Sequence, residues 1–147
     1  IDRKRKRERV RRLEEVKGGE RTYRFALVPK FNCANSPFFT AAFNGCQQRA
    51  EDLGNVKCEC IEANSFSPEQ RSRQELIIAN LTARGTFDGI GIAVRKADDV
   101  VDAISDAIDA GIPVVTFDSD SPNSRRVAYI GTDNVAMGRE LGKVLKQ

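Results

Sequence analysis

Histidine and tryptophan are both absent from the 147-residue sequence, and there is a single methionine. Without imidazole, the chain lacks the side chain whose ordinary pKa lies near neutrality. His-based acid–base catalysis and His-ligated metal sites are therefore excluded. Ring stacking falls to eight Phe and two Tyr. No apolar run reaches the roughly 18 residues of a membrane helix. The chain opens on Ile1 with no signal-peptide apolar region, so an exported product is expected to carry its signal upstream or to have lost it.

The charge is divided unevenly. The formal net charge is +3, but residues 1–22 hold ten Lys/Arg against five Asp/Glu, and residues 23–147 hold fourteen against sixteen. The basic character belongs to the leader, IDRKRKRERVRRLEEVKGGERT, and not to the domain that follows. Val10, Leu13 and Val16 predict a short helix there, stopped at Gly18-Gly19. Its apolar face is too thin to anchor a core. Polybasic runs can bind nucleic acid or anionic lipid, but the favoured reading of 1–22 is a solvated linker from something upstream.

The four cysteines are Cys33, Cys46, Cys58 and Cys60. Cys58-x-Cys60 lacks zinc-knuckle spacing and has no matching second pair. Small buried residues are expected rather than a metal site. A Cys33–Cys46 disulfide is compatible with an oxidising compartment, and spacing alone does not decide it.

From Tyr23 the pattern changes. YRFALVP, VKCECIEA, FDGIGIAV, IPVVTFD and RVAYIGT read as strands. FFTAAFNGCQQRAEDLG, SPEQRSRQELIIANLTARG, ADDVVDAISDAIDAG and NVAMGRELGKVLKQ read as helices. Gly54 and Gly85 close the first two, Ser67-Pro68 opens the second, and Asp98 and Asn134 are the expected N-caps of the last two. The strands are continuous apolar runs, which predicts an α/β fold with a parallel sheet covered by helices on both faces. In such sheets ligands bind outside the carboxyl ends of the strands.

The loops after the strands therefore carry the functional reading. The first, Pro29-Lys30-Phe31-Asn32-Cys33-Ala34-Asn35-Ser36-Pro37-Phe38-Phe39, contains no glycine and no Walker motif, so it does not cradle a pyrophosphate. It offers a cation, amides, a hydroxyl and two adjacent aromatics. That mixture suits a polyhydroxylated ligand, with hydrogen bonds at its rim and a ring against its carbon face. Adjacent helical residues diverge by about 100°, so one of Phe38 and Phe39 is expected in the core. Arg95 follows the third strand as a cleft candidate, with a solvated cation as the alternative. Asp118-Ser119-Asp120 follows the fourth. Its carboxylates can accept bidentate bonds from vicinal hydroxyls and pair with Lys30; an Asp-held turn and a metal site are the alternatives. No further oxygen ligands are spaced for a calcium loop. No nucleophile–base pair is visible, which leaves covalent catalysis without its parts.

ALVPK followed by SPFF, then GCQQRAEDLG, GIPVVTFDSD and RVAYIGTDNVAMGRELG, in this order, resemble the amino-terminal portion of the type I periplasmic sugar-binding proteins. That group includes ribose-binding protein and the ligand-binding domains of lactose-repressor-type regulators. VPK with a downstream FF and DSD looks most like the rhamnose and autoinducer-2 branch. The resemblance implies a three-layer αβα lobe with a parallel sheet, the first of two lobes that close on a ligand. It implies a basic leader over 1–22, a first lobe over 23–122, and the first strand and helix of a truncated second lobe over 123–147. It implies ligand contacts from Lys30, Asn35, Ser36, Phe38, Phe39 and either Asp118 or Asp120, with Arg95 added from its position.

The function so implied is a solute-binding protein that delivers a small sugar or sugar-like ligand to an ABC-type membrane permease, in the periplasm or another extracytoplasmic space. No cofactor, metal or catalysis is expected, nor direct nucleic-acid contact from residues 23–147. The alternative is a sugar-sensing domain of the same fold acting on a sensor kinase or a fused DNA-binding module, cytoplasmic if it is a transcriptional regulator. Removal of residues 1–20 is expected to leave sugar binding by the full-length protein unaltered. Calorimetric titration of the truncated and intact proteins checks this, and a large loss of affinity would make the leader part of the fold.

Overall fold

A computed structural model of the chain describes residues 21–62 and 74–146. The expected leader helix and the Ser67-Pro68 helix entry lie outside the described residues. The elements are β1 (Tyr23–Val28), α1 (Pro37–Leu53), β2 (Val56–Cys60), α2 (Gln74–Arg84), β3 (Gly89–Ile92), α3 (Val101–Asp109), β4 (Val114–Phe117), β5 (Ala128–Ile130) and α4 (Asn134–Leu145). The strands form one sheet in the order β2-β1-β3-β4-β5, and every neighbouring pair is parallel.

Alternation along each strand assigns the two faces. Ala26 and Val28 of β1, Ile90 and Ile92 of β3, and Val114 of β4 form one buried cluster. They pack with Ile77, Ile78 and Leu81 of α2 and Ile104 and Ala107 of α3. Phe25 and Leu27 point the other way, in register with Cys58 and Cys60 of β2. That second face receives α1, which is tied to it by a Cys46–Cys58 disulfide and by the buried Phe39 ring against Phe117 of β4. Helices thus flank both faces, but unequally. Phe25 is still 37% exposed, whereas Ile92 and Ile104 are 0% exposed.

Local signals explain most boundaries. Pro37 occupies the first turn of α1, where its missing N–H costs nothing. Gly54 ends α1 at φ 75° and returns its N–H to Ala50 O and Glu51 O. Gly89 is required by packing: a Cβ there would lie 2.9 Å from the Phe25 ring. Two expected caps move. Asp98 does not cap α3; it sits in a preceding turn, and Val100 takes the N-cap position without a side-chain bond. The α4 cap is Asp133, not Asn134, because the Asp133 carboxylate accepts from Ala136 N at 2.9 Å.

Two further expectations are corrected. The cysteines are paired as Cys33–Cys60 and Cys46–Cys58, not as Cys33–Cys46. Residues two apart on a strand share a face, so Cys58 and Cys60 both reach the α1 side of the sheet. The strand expected to open a second lobe instead joins the first sheet as β5. Val127 N donates to Val114 O at 2.8 Å and Asp118 N to Ile130 O at 3.1 Å. The helix after it, α4, has no buried residue, and Val135, Met137, Leu141 and Val144 remain exposed.

Ile104→Ala removes a fully buried side chain between α3 and the sheet. It should cost about 3 kcal/mol in equilibrium urea unfolding; a loss below about 1 kcal/mol would mean that this face is not the core.

Candidate functional site

Sheet growth reverses between β1 and β3: β2 adds on one side of β1, and β3, β4 and β5 add on the other. The loops after β1 and β3 then lead to helices on opposite faces and open a crevice at the carboxyl edge. Gln74, at the start of α2 and only 3% exposed, holds this edge. Its Nε2 donates to Ala93 O at 2.8 Å and Pro29 O at 3.3 Å, and its Oε1 accepts from Arg95 N at 2.7 Å. Nothing in the sequence singled out Gln74. A lone amide in a helical pattern carries no signal until its partners are in place.

The crevice brings together Lys30 and Asp118, from the loops after β1 and β4. Lys30 Nζ lies 2.7 Å from Asp118 Oδ2, and both side chains are about a quarter to a third exposed, at 26% and 32%. Asp118 has φ 61°, in the left-handed region that a non-glycine residue enters at a cost and that Asp tolerates better than most. That turn follows β4 directly, and its carboxylate is the one that meets Lys30. Ser119 Oγ donates to Asp118 Oδ2 at 3.2 Å, and Tyr129 Oη donates to Asp118 O at 3.0 Å.

The aromatic pair divides as the helical period requires. Phe39 is 4% exposed, edge-on between Phe38 and Phe117 with ring centroids 5.2 and 6.3 Å away. Phe38 is 56% exposed and presents a free apolar surface. Asn35 is exposed, with its backbone N–H bonded to Asn32 Oδ1 at 2.7 Å. Ser36 occupies the N-cap position of α1, and its hydroxyl makes no cap bond. The Arg95 guanidinium stacks over Phe31 at 5.5 Å, so it is tied to the β1 loop. Phe31 was not among the expected site residues. The partly open space beside Arg95, lined by Gln74, Glu75 and Asp99, measures about 10 Å³, roughly the room of one water.

Asp120 is used differently. Arg126 Nε and Nη2 donate to its two oxygens at 2.5 and 2.6 Å. Thr116 Oγ1 and Ser121 N donate to Oδ1 at 2.6 and 2.8 Å. Burial pushes this carboxyl up, but the Arg126 hydrogen bonds, followed by those of Thr116 and Ser121, outweigh it and hold the pKa below the ordinary carboxylate value. Every donor that faces it closes the loop between β4 and β5. The Asp-held turn, one alternative for this motif, describes Asp120; Arg126 was missed because the partners lie across a turn of unknown shape.

Cys33, Cys60 and Glu62 offer potential metal-ligand atoms within 4.8 Å of one another. The two sulfurs are bonded to each other, so the cluster presents one carboxylate and not three ligands. That carboxylate accepts from Cys33 N at 2.9 Å.

A family model described as a periplasmic binding protein domain matches residues 25–147. The ribose import binding protein of Escherichia coli (strain K12) is 32% identical over 108 residues, which is 74% of this chain and 34% of that protein. A solved ABC transporter solute-binding protein from Burkholderia graminis, in complex with D-arabinose, superposes with a TM-score of 0.65 at 32% identity, over 87% of this chain and 43% of that one. GanP, a glucose-galactose binding protein from Geobacillus stearothermophilus, gives 0.69 at 33% identity, over 84% of this chain and 42% of that one. The chain thus spans about a third of the length of the curated relatives it matches.

Asp120→Ala leaves the Ser121 N–H, on a fully buried residue, without its acceptor, and leaves the buried Thr116 hydroxyl only the longer 3.4 Å bond to Ala128 O. It should destabilise the fold by about 1–3 kcal/mol. The sign with pH follows from the lowered carboxyl: its contribution is present above the ordinary carboxylate pKa and is lost as pH falls through the folded value. Urea unfolding at neutral and acid pH should therefore show the variant's deficit shrinking towards low pH. A deficit that stays constant would mean that the carboxylate charge is not what holds the loop.

Proposed function

The chain belongs to the periplasmic binding protein domain family, and from that premise we propose that it is the first lobe of a solute-binding protein for a small sugar. The observation that carries the reading is the meeting of Lys30 and Asp118 beside the exposed Phe38 ring at the carboxyl edge of the sheet. An ammonium, a carboxylate, the Ser36 hydroxyl and the Asn35 amide supply donors and acceptors for ring hydroxyls, and Phe38 supplies the surface for a sugar's carbon face. Phe39 supports Phe38 from the core, and Arg95 borders the site through Phe31. Asp120 shapes the β4–β5 loop rather than touching the sugar. No nucleophile–base pair is part of this reading; the ligand is held and released, not converted.

A second lobe closes the site. The exposed apolar residues of α4 and the share of each relative that the chain spans support α4 as the entry to that lobe. Closing on the sugar gives the two-lobed form that an ABC-type permease recognises. An extracytoplasmic setting is supported by the two disulfides, since such bridges form and persist in oxidising compartments.

Asp118→Asn is the informative substitution, because Asn also tolerates the left-handed backbone while the charge is removed. In the full-length protein it should weaken sugar binding by about 2 kcal/mol, read by isothermal titration with D-ribose, D-arabinose, D-glucose and D-galactose. Unchanged affinity would remove Asp118 from the site. Absence of binding to any of the four by the unmodified protein would overturn the sugar-binding reading itself.

A further inference from the structure

We infer that the Cys33–Cys60 bridge is a positioning element for the ligand-binding loop, separate in role from the Cys46–Cys58 bridge; this rests on the reading of Lys30, Asn35, Ser36 and Phe38 as ligand-facing groups. Those groups straddle Cys33 in the segment between Val28 at the end of β1 and the first turn of α1. The segment has no strand or helix ladder of its own before Pro37. It is held by one internal bond, Asn35 N to Asn32 Oδ1 at 2.7 Å, and by two outward ones at Cys33: Cys33 N donates to Glu62 Oε1 at 2.9 Å, and Thr40 Oγ1 of α1 donates to Cys33 O. The disulfide fixes this point to Cys60, the last residue of β2, which is in register with Leu27 of β1. The anchor is therefore the sheet itself. At the loop's start, Lys30 is tied to Asp118 and Phe31 to Arg95.

The other bridge joins different parts. Cys46 lies inside α1, well past its first turn, and Cys58 lies inside β2. It fastens a formed helix to a formed strand, and neither of its cysteines lies in the ligand-facing loop. A loop ordered only on binding subtracts its ordering cost from affinity, whereas a loop fixed in advance does not. Opening Cys33–Cys60 should therefore cost affinity, and opening Cys46–Cys58 should cost stability alone.

The test uses the full-length protein, its C33S/C60S and C46S/C58S forms, and calorimetric titration with D-ribose, D-arabinose, D-glucose and D-galactose. Amide exchange over residues 31–36 without ligand and thermal melting accompany it. Affinity in C33S/C60S should fall about tenfold or more, with faster exchange over 31–36, while C46S/C58S binds as the wild type does. Unchanged affinity in C33S/C60S, equal losses in the two variants, or failure of C33S/C60S to fold would each overturn the inference; the last would make the bridge a folding element. If the wild type binds none of the four sugars, the sugar-binding reading fails, and exchange decides the bridge. Faster exchange over 31–36 in C33S/C60S alone upholds loop positioning, and unchanged exchange overturns it.

Discussion

A parallel sheet leaves backbone groups at the carboxyl ends of its strands with no ladder partner, and where β1 meets β3 the Gln74 carboxamide satisfies three of them. A buried, unpaired carbonyl or N–H costs as much as a lost hydrogen bond, so this amide adds to the Ala93 N–Val28 O bond in holding the two strand ends together. Gln74 can occupy that place because α2 starts beside the edge, pulled down by Ile77, Ile78 and Leu81 in the core. The crevice walls descend from the same arrangement: Lys30 follows Pro29, and Arg95 is itself one of the bonded residues.

The Asp118-Ser119-Asp120 motif shows how one short run serves two ends. Asp118 turns through a left-handed backbone and faces the crevice. Asp120 turns inward to Arg126, Thr116 and Ser121 and fixes the return of the chain to β5. The second carboxylate holds the loop that presents the first. β5 depends on it too, since Ala128 to Ile130 are all exposed and contribute no buried side chain to hold the strand in place.

The sheet's two faces carry different kinds of support. The α2/α3 face is a buried apolar cluster, and apolar burial suffices there. The α1 face is thinner, with Phe25 and Phe117 only partly covered, and there two disulfides bind helix and loop to β2. Cross-links restrict the unfolded chain and supply stability where apolar area is short. The crevice loop hangs from that cross-linked face.

Strand and helix identity and the parallel sheet were legible in the sequence because each rests on a local pattern. Continuous apolar runs mark buried strands, Gly54 marks a helix end, and two adjacent phenylalanines must diverge on a helix, which puts one of them inside; that it is Phe39 was decided by the packing. The pairing of Lys30 with an aspartate of the DSD run was also readable from their places after strands. Cysteine pairing was not, because four thiols close by a distance that only the stacking of α1 on β2 sets. The sheet to which β5 belongs, the shift of the last cap to Asp133, and the division of labour between Asp118 and Asp120 were likewise decided by tertiary structure. Each turns on which backbone groups and side chains meet across a turn, and spacing along the chain does not encode that meeting.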